Sequence, residues 1–378
     1  MGELVKKADF LVAGLGAMGS AALYHLARLG ADVIGIDQFR IGHALGSSHG
    51  HSRAYRNFYH DAIYVEMAEA ALPLWRELEA RSGEHLLTLT GLLQFGRRGS
   101  DALERKIGVM AALGRAHERL SPADVAARFP ALRLPEESTA CLTPLGGFLD
   151  AGRCVQTHLR QAQALGARID EEVRVERVSL RGERPLVETS AGRYECERLI
   201  IAPGPWAAEV LEELALPLDV TRQQKFYFRP RDREAYAPAR LPVYGDVETQ
   251  FYGFPDYGPG LKVADDGLGE VTSANGVDRT LDEGKREELQ RWLGSIMPGS
   301  GFSYVSGATC MYTVTPDRDF LIGPHPDNAN VLVAAGFSGH GFKFSALVGE
   351  ILAELALEGR TKQQIERFRL DRFGGAGS

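Results

Sequence analysis

Two short runs near the C-terminal end carry side chains capable of chemistry. Cys310-Met-Tyr312-Thr offers a thiol and a phenol, and Gly336-Phe-Ser-Gly339-His340-Gly341-Phe342-Lys343 sets a histidine and a lysine on a glycine-rich turn. Beyond that turn Leu347, Val348, Ile351, Leu352 and Leu355 recur at helical spacing and Gly359 stands at a stop, which predicts a helix over 344–357. Glycines ahead of a helix free backbone N–H groups that attract an anion or a polarised carbonyl edge. Lys343 and His340 at the same mouth strengthen that pull, with a plain turn residue as the other reading of His340.

A second constellation lies at the other end. An apolar run over 9–13 leads into Gly14-Leu-Gly16-Ala-Met18-Gly19, then an amphipathic helix stopped by Gly30, then a strand over Asp32–Asp37 that ends in an acid. Gly14 permits the tight turn, Gly16 lets a pyrophosphate approach the backbone, and Gly19 lets helix and strand pack closely. Asp37 is then placed for ribose hydroxyls. The pattern predicts a dinucleotide site without choosing between FAD and NAD. The polar stretch Gly46-Ser-Ser-His49-Gly-His51-Ser52-Arg53-Ala-Tyr-Arg56 reads equally as a solvated loop or, if helical, as two arginines aimed at one spot.

The elements that must position these residues follow from periodicity. Helices are expected over 61–80, with a kink at Pro73, over 101–130, from Asp150 to near Gly166, and over Leu281–Met297. Short strands are expected at Ala167-Arg-Ile, Val173-Arg-Val and Leu186-Val-Glu-Thr, and buried ones at Arg198–Ala202 and Val331–Ala335. The Arg198 strand runs into a second glycine turn, Gly204-Pro-Trp206. From Leu218 to Lys262 the pattern alternates and is rich in aromatics, the signature of an antiparallel sheet. The fold class is therefore α/β: a Rossmann-type dinucleotide domain with an inserted antiparallel-sheet substrate domain. The expected division assigns 1–90, 150–215 and 305–378 to the first, and 91–149 and 216–304 to the second.

A chain of 378 residues with 44% hydrophobic and 25% charged residues has an ordinary globular composition, and a net charge of -7 gives no help to nucleic-acid or anionic-membrane binding. Cys141, Cys154, Cys196 and Cys310 lack metal-site and disulfide-framework spacing, in keeping with a reducing cytoplasm. No stretch reads as a signal peptide or membrane span.

Taken together, Gly14–Gly19, His49-Gly-x-Ser-Arg53-x-x-Arg56, Tyr252-Gly-Phe-Pro with Lys262, Cys310-Met-Tyr312-Thr and Gly336–Lys343 make the chain resemble the monomeric sarcosine oxidase and N-methyltryptophan oxidase group of the glycine/D-amino-acid oxidase flavoprotein superfamily. The resemblance implies a monomeric, FAD-dependent oxidase of secondary amino acids such as sarcosine, with O₂ as acceptor and the flavin tethered through Cys310. It implies a carboxylate clamp of Arg56 and Lys343, aromatic pocket walls from Tyr252 and Tyr312, Arg53 against the flavin, and Lys262 near flavin N5. A fixed cation there would stabilise superoxide formed as electrons pass to O₂. The implied cofactor contacts are Gly14, Gly16, Met18, Gly19, Asp37, His49, Ser52, Arg53, Val173, Cys310, Gly339, Gly341, Phe342 and Lys343.

One residue departs from the family pattern: Asp266 stands where members commonly carry a histidine. A carboxylate there would repel an anionic group but attract an ammonium, so it bears on substrate choice. N-methyltryptophan, a cyclic imino acid or a glycated amino acid are the alternative substrates. A flavin dehydrogenase with a protein acceptor, a tRNA- or partner-binding flavoprotein and an NAD dehydrogenase are the alternative classes.

Overall fold

The computed structural model describes residues 5–182 and 184–374. The first strand, Val5–Ala13, is exposed at its charged start and buried from Phe10 to Ala13. It pairs in parallel with Val33–Ile36 on one side and Gly192–Ile201 on the other. Arg168–Asp170 extends the sheet beyond Val33–Ile36, and Asn328–Ala335 extends it beyond Gly192–Ile201, both in parallel. Antiparallel strands Leu321–His325, Val175–Ser179 and Leu186–Thr189 complete eight. Such parallel strands are covered by helices: Ala17–Arg28 packs against both Ser345–Glu358 and Ala151–Ala164. Gly349 permits that contact, since a Cβ there would lie 2.5 Å from the Ala21 backbone.

The second region is a nine-stranded sheet, antiparallel except where Val243–Asp246 runs parallel to Leu92–Arg97, and its two faces differ. Paired residues share a face, and alternate residues along one strand do too. The pairs Phe226–Val263, Phe228–Leu261 and Leu93–Tyr244 therefore point one way, where they join a core with Leu289 and Leu293 of the helix Glu283–Ile296. The other face carries a row running Gln94, Gly245, Tyr252, Ala264, Lys225 and Ala308 across consecutive strands. Two positions along lie Phe254, Lys262 and Tyr227; two positions the other way lie Gln223 and Cys310. A small third sheet joins Arg53–Arg56, Gly146–Leu149 and Leu87–Leu89.

Several expectations are corrected. The segment 101–130 is two helices, Asp101–Ala112 and Pro122–Arg128, because Glu118–Leu120 pairs with the strand Ser138–Thr143. Pro73 does lie inside a helix, Ala62–Ser82, as expected. The strand expected at Val173 runs over Val175–Ser179. Arg53–Arg56 is a strand and not a helical turn. Ser303–Val314, which a boundary at 305 would divide, is one unbroken strand of the nine-stranded sheet.

Candidate active site

The turn after the first strand is held by steric necessity. Gly14 has φ +91°, and a Cβ on Gly19 would lie 1.8 Å from the Gly14 carbonyl oxygen, so the following helix sits directly on the turn. Asp37 accepts hydrogen bonds from the backbone N–H groups of Leu15 (2.7 Å) and Phe39 (2.9 Å) at the end of its strand. The glycine turn and Asp37 open onto a cavity of about 710 Å³. Its walls include Gly14, Gly16, Met18, Asp37, His49, Arg53, Val173, Trp206, Tyr312, Gly339, Gly341 and Phe342. Size and lining fit FAD: Val173 N–H donates to the Asp37 carbonyl (2.8 Å), which sets those two walls side by side, and the Arg53 guanidinium carbon lies 5.8 Å from the Phe342 ring centroid. Gly19 seats the helix and does not line the cavity, and Ser52 contributes its carbonyl to the cations beside it.

A second cavity of about 90 Å³ shares Arg53, Tyr312, Gly339 and Phe342 with the first. Arg56, Gln94, Lys225, Tyr252, Lys262, Asp266, Cys310, His340 and Lys343 line it as well. The sequence-predicted substrate and catalytic residues thus converge on one small space, although they come from three separate parts of the fold.

The sheet floor brings in two lysines. Lys262 is 2% exposed; its Nζ donates to the Ser52 carbonyl (3.0 Å) and lies 4.4 Å from the Phe254 ring centroid. Burial, with Arg53 and Lys225 adding repulsion, holds it well below the usual lysine range. Lys225 Nζ approaches the His49 carbonyl (3.4 Å), and burial and then Arg53 bring it down to about 8. His49 is pushed to about 3 by burial and by Lys225 and Arg53, so it is neutral at pH 7. Arg53 folds over the loop carbonyls, donating to Ser52 (2.8 Å) and Ser47 (2.6 Å).

The substrate side is built from the small sheet and the C-terminal turn. In a strand, residues three apart point to opposite sides, so Arg56 diverges from Arg53. Its guanidinium carbon lies 4.6 Å from the Tyr59 ring centroid, and Nη2 lies 3.9 Å from the Asp266 carboxylate. Lys343 Nζ donates to Tyr59 Oη (2.7 Å) and to the His340 carbonyl. Burial and then Arg56 depress Lys343 well below the usual value, while Asp266 opposes them. The Tyr312 hydroxyl donates to Asp266 (3.4 Å), and its ring lies against Gly339, where a Cβ would come within 2.5 Å of it.

No motif in the sequence marks Lys225, Gln94, Lys106 or Tyr59 for a role at this site. His340 does sit in a turn, its N–H donating to the Phe337 carbonyl (3.0 Å), and its ring packs among Tyr64, Phe320 and Phe344 with Nε2 3.1 Å from the Arg318 carbonyl. For Lys225 a signal existed: alternation puts it on one face with Tyr227, the partner of Lys262. The other cysteines behave as buried apolar groups. Burial pushes Cys141 up to about 11, Cys196 to about 12 and Cys154 well above the usual value.

Comparison with known proteins agrees with this geometry. Residues 9–355 match the family model described as FAD dependent oxidoreductase. Monomeric sarcosine oxidase of Streptomyces avermitilis is 35% identical over 97% of this chain and 98% of its own. N-methyl-L-tryptophan oxidase of Salmonella arizonae is 30% identical over 97% of this chain and 99% of its own. Among solved structures, NikD, described as an unusual amino acid oxidase essential for nikkomycin biosynthesis, superposes with a TM-score of 0.84 at 25% identity, covering 96% of this chain and 97% of its own. With its glycine turn, its acid-ended second strand and a cavity of the right size all in place, the chain belongs to the FAD dependent oxidoreductase family and carries the FAD-binding fold of the amino acid oxidases.

Proposed function

We propose that this protein oxidises secondary α-amino acids, sarcosine foremost, converting sarcosine, O₂ and water into glycine, formaldehyde and H₂O₂. The observation that carries the reading is the pair Arg56 and Lys343 on a small cavity that opens, through Arg53, Tyr312, Gly339 and Phe342, onto the FAD cavity. Two cations at one wall form a clamp for a substrate carboxylate. The names of the sarcosine oxidase relatives support the substrate class, and a cavity of about 90 Å³ favours a small side chain over an indole.

Within that space Arg56 and Lys343 orient the carboxylate, and the Tyr252 and Tyr312 faces flank the amine. Burial beside these cations disfavours an ammonium, so the substrate reacts as the neutral amine. Bound FAD supplies the two-electron acceptor and the link to O₂. Lys262 and Arg53 hold fixed positive charge in a dry site, where it stabilises developing negative charge on oxygen. Cys310, on the same sheet face as Lys262, is the attachment point for a thioether to the flavin. Asp266 partly neutralises Arg56 in the free enzyme and yields it to the substrate carboxylate. The Streptomyces relative's name supports a monomer, and four free cysteines are in keeping with a cytoplasmic setting.

The test is an anaerobic titration of the yellow protein with sarcosine, followed by air. Bleaching, then rapid recovery with peroxide, is expected. Bleaching without recovery in air would make the protein a dehydrogenase, and no bleaching by any secondary amino acid would overturn the reading.

A further inference from the structure

The substrate side of the small cavity is not balanced in charge. Arg56 and Lys343 line it, Lys106 stands directly behind Gln94, and Asp266 is the acid facing them. Asp265, also at the rim, is engaged by Lys285 (3.1 Å). One substrate carboxylate and Asp266 together answer two of the three cations. The third, Lys106, has no carboxylate partner among the described residues: its Nζ donates to Gln94 Oε1 at 2.8 Å and lies 5.9 Å from the Phe58 ring centroid.

That contact fixes the Gln94 amide. An ammonium has donors only, so the amide oxygen must face Lys106 and the NH₂ group must face away. Gln94 occupies the sheet row with Gly245 and Tyr252, and its Nε2 lies over Gly245, 3.9 Å from where a Cβ would be. There Nε2 donates to no other group among the described residues. The cavity wall therefore presents an oriented, unused donor with a positive charge behind it. Resting on the oxidase reading above, we propose that Gln94, oriented by Lys106, binds a second carboxylate on the substrate, so that beside sarcosine the enzyme takes secondary amino acids carrying two acidic groups and prefers them to their uncharged amides. Gln94 is the contact residue and Lys106 the positioning residue.

The electrostatics agree with this geometry. Burial and then Arg56 draw Lys106 down to about 7, while Asp266 pulls the other way; His60 faces it too. Below about pH 7 the charge behind Gln94 is present, and it fades as pH rises.

The experiment compares each acid with its uncharged amide: N-methylaspartate with N-methylasparagine, and N-carboxymethylglycine with its monoamide. We expect kcat/KM to favour the acid by tenfold or more in at least one pair at pH 6.5, and the preference to shrink by pH 9. Lys106→Met is expected to reduce the acid-to-amide ratio about tenfold, and Lys106→Arg to retain it. A ratio near one for both pairs in the native enzyme overturns the proposal, as does a preference that survives Lys106→Met. If sarcosine bleaches the flavin while neither acid has an advantage, only this inference fails. If no secondary amino acid bleaches it, the oxidase reading fails first.

Discussion

The two faces of the nine-stranded sheet are made from the same strands, and both are buried, yet they serve opposite ends. On one, Phe226, Phe228, Leu261 and Val263 pack against Leu289 and Leu293, hydrocarbon against hydrocarbon. On the other, Lys225, Lys262, Tyr252 and Cys310 face the small cavity. Neither lysine has a carboxylate partner among the described residues; each is left with a backbone carbonyl, and Lys262 with ring faces besides. Burial of an unpaired charge opposes folding, so the apolar face must supply the stability that the chemical face consumes. Chemistry at this site depends on groups that a sheet selected for stability alone would not bury.

The strongest test of that contrast is on the apolar side. Phe228→Ala should cost about 3–5 kcal/mol of stability, read by denaturant melts, while the folded fraction retains its turnover per flavin. A large loss of kcat in the folded fraction would mean that the two faces are not separable. On the chemical face, Lys262→Met should slow flavin reoxidation in air about 10²–10³-fold and spare anaerobic reduction by substrate. Stopped-flow measurement of the two half-reactions decides; equal slowing of both would remove Lys262 from the oxygen step.

The smallest expected effect sharpens the comparison by its sign. Lys225 has a folded value near 8, below that of an unfolded lysine. Its charging penalty is then fully present below about pH 8 and is relieved as pH rises towards the unfolded value near 10.4. Lys225→Met should therefore stabilise the protein at pH 7 by roughly 1–3 kcal/mol, with the advantage shrinking between pH 8 and 10. Melting curves of both proteins across that range check it, and an advantage that grows with pH would refute the assignment.

Contiguous motifs are legible in the chain itself. The glycine turn with Asp37, the helix behind Lys343 and the alternation through Lys262 are each determined within a few residues by sterics or period. What stays hidden depends on distant pairing. The order Arg53-Ala-Tyr-Arg56 reads as a solvated loop or a helical turn, and only its ladder with Gly146–Leu149 makes it a strand. The helical pattern over 101–130 is broken because Glu118–Leu120 finds a partner strand in Ser138–Thr143. Gln94 and Lys106 belong to a strand and a helix of ordinary composition, and nothing nearby in sequence points to a cavity formed with residues 56, 252 and 343.

By itself the sequence determined the dinucleotide turn, the two architectures and the residue types available for chemistry, because local backbone geometry and hydrophobic period depend on near neighbours. Tertiary structure alone decided which cations share a space and which lack a counter-charge. Depression of a lysine's affinity for its proton depends on burial and on charges brought from elsewhere in the chain, and neither Lys262 nor Lys106 carries any local mark of them.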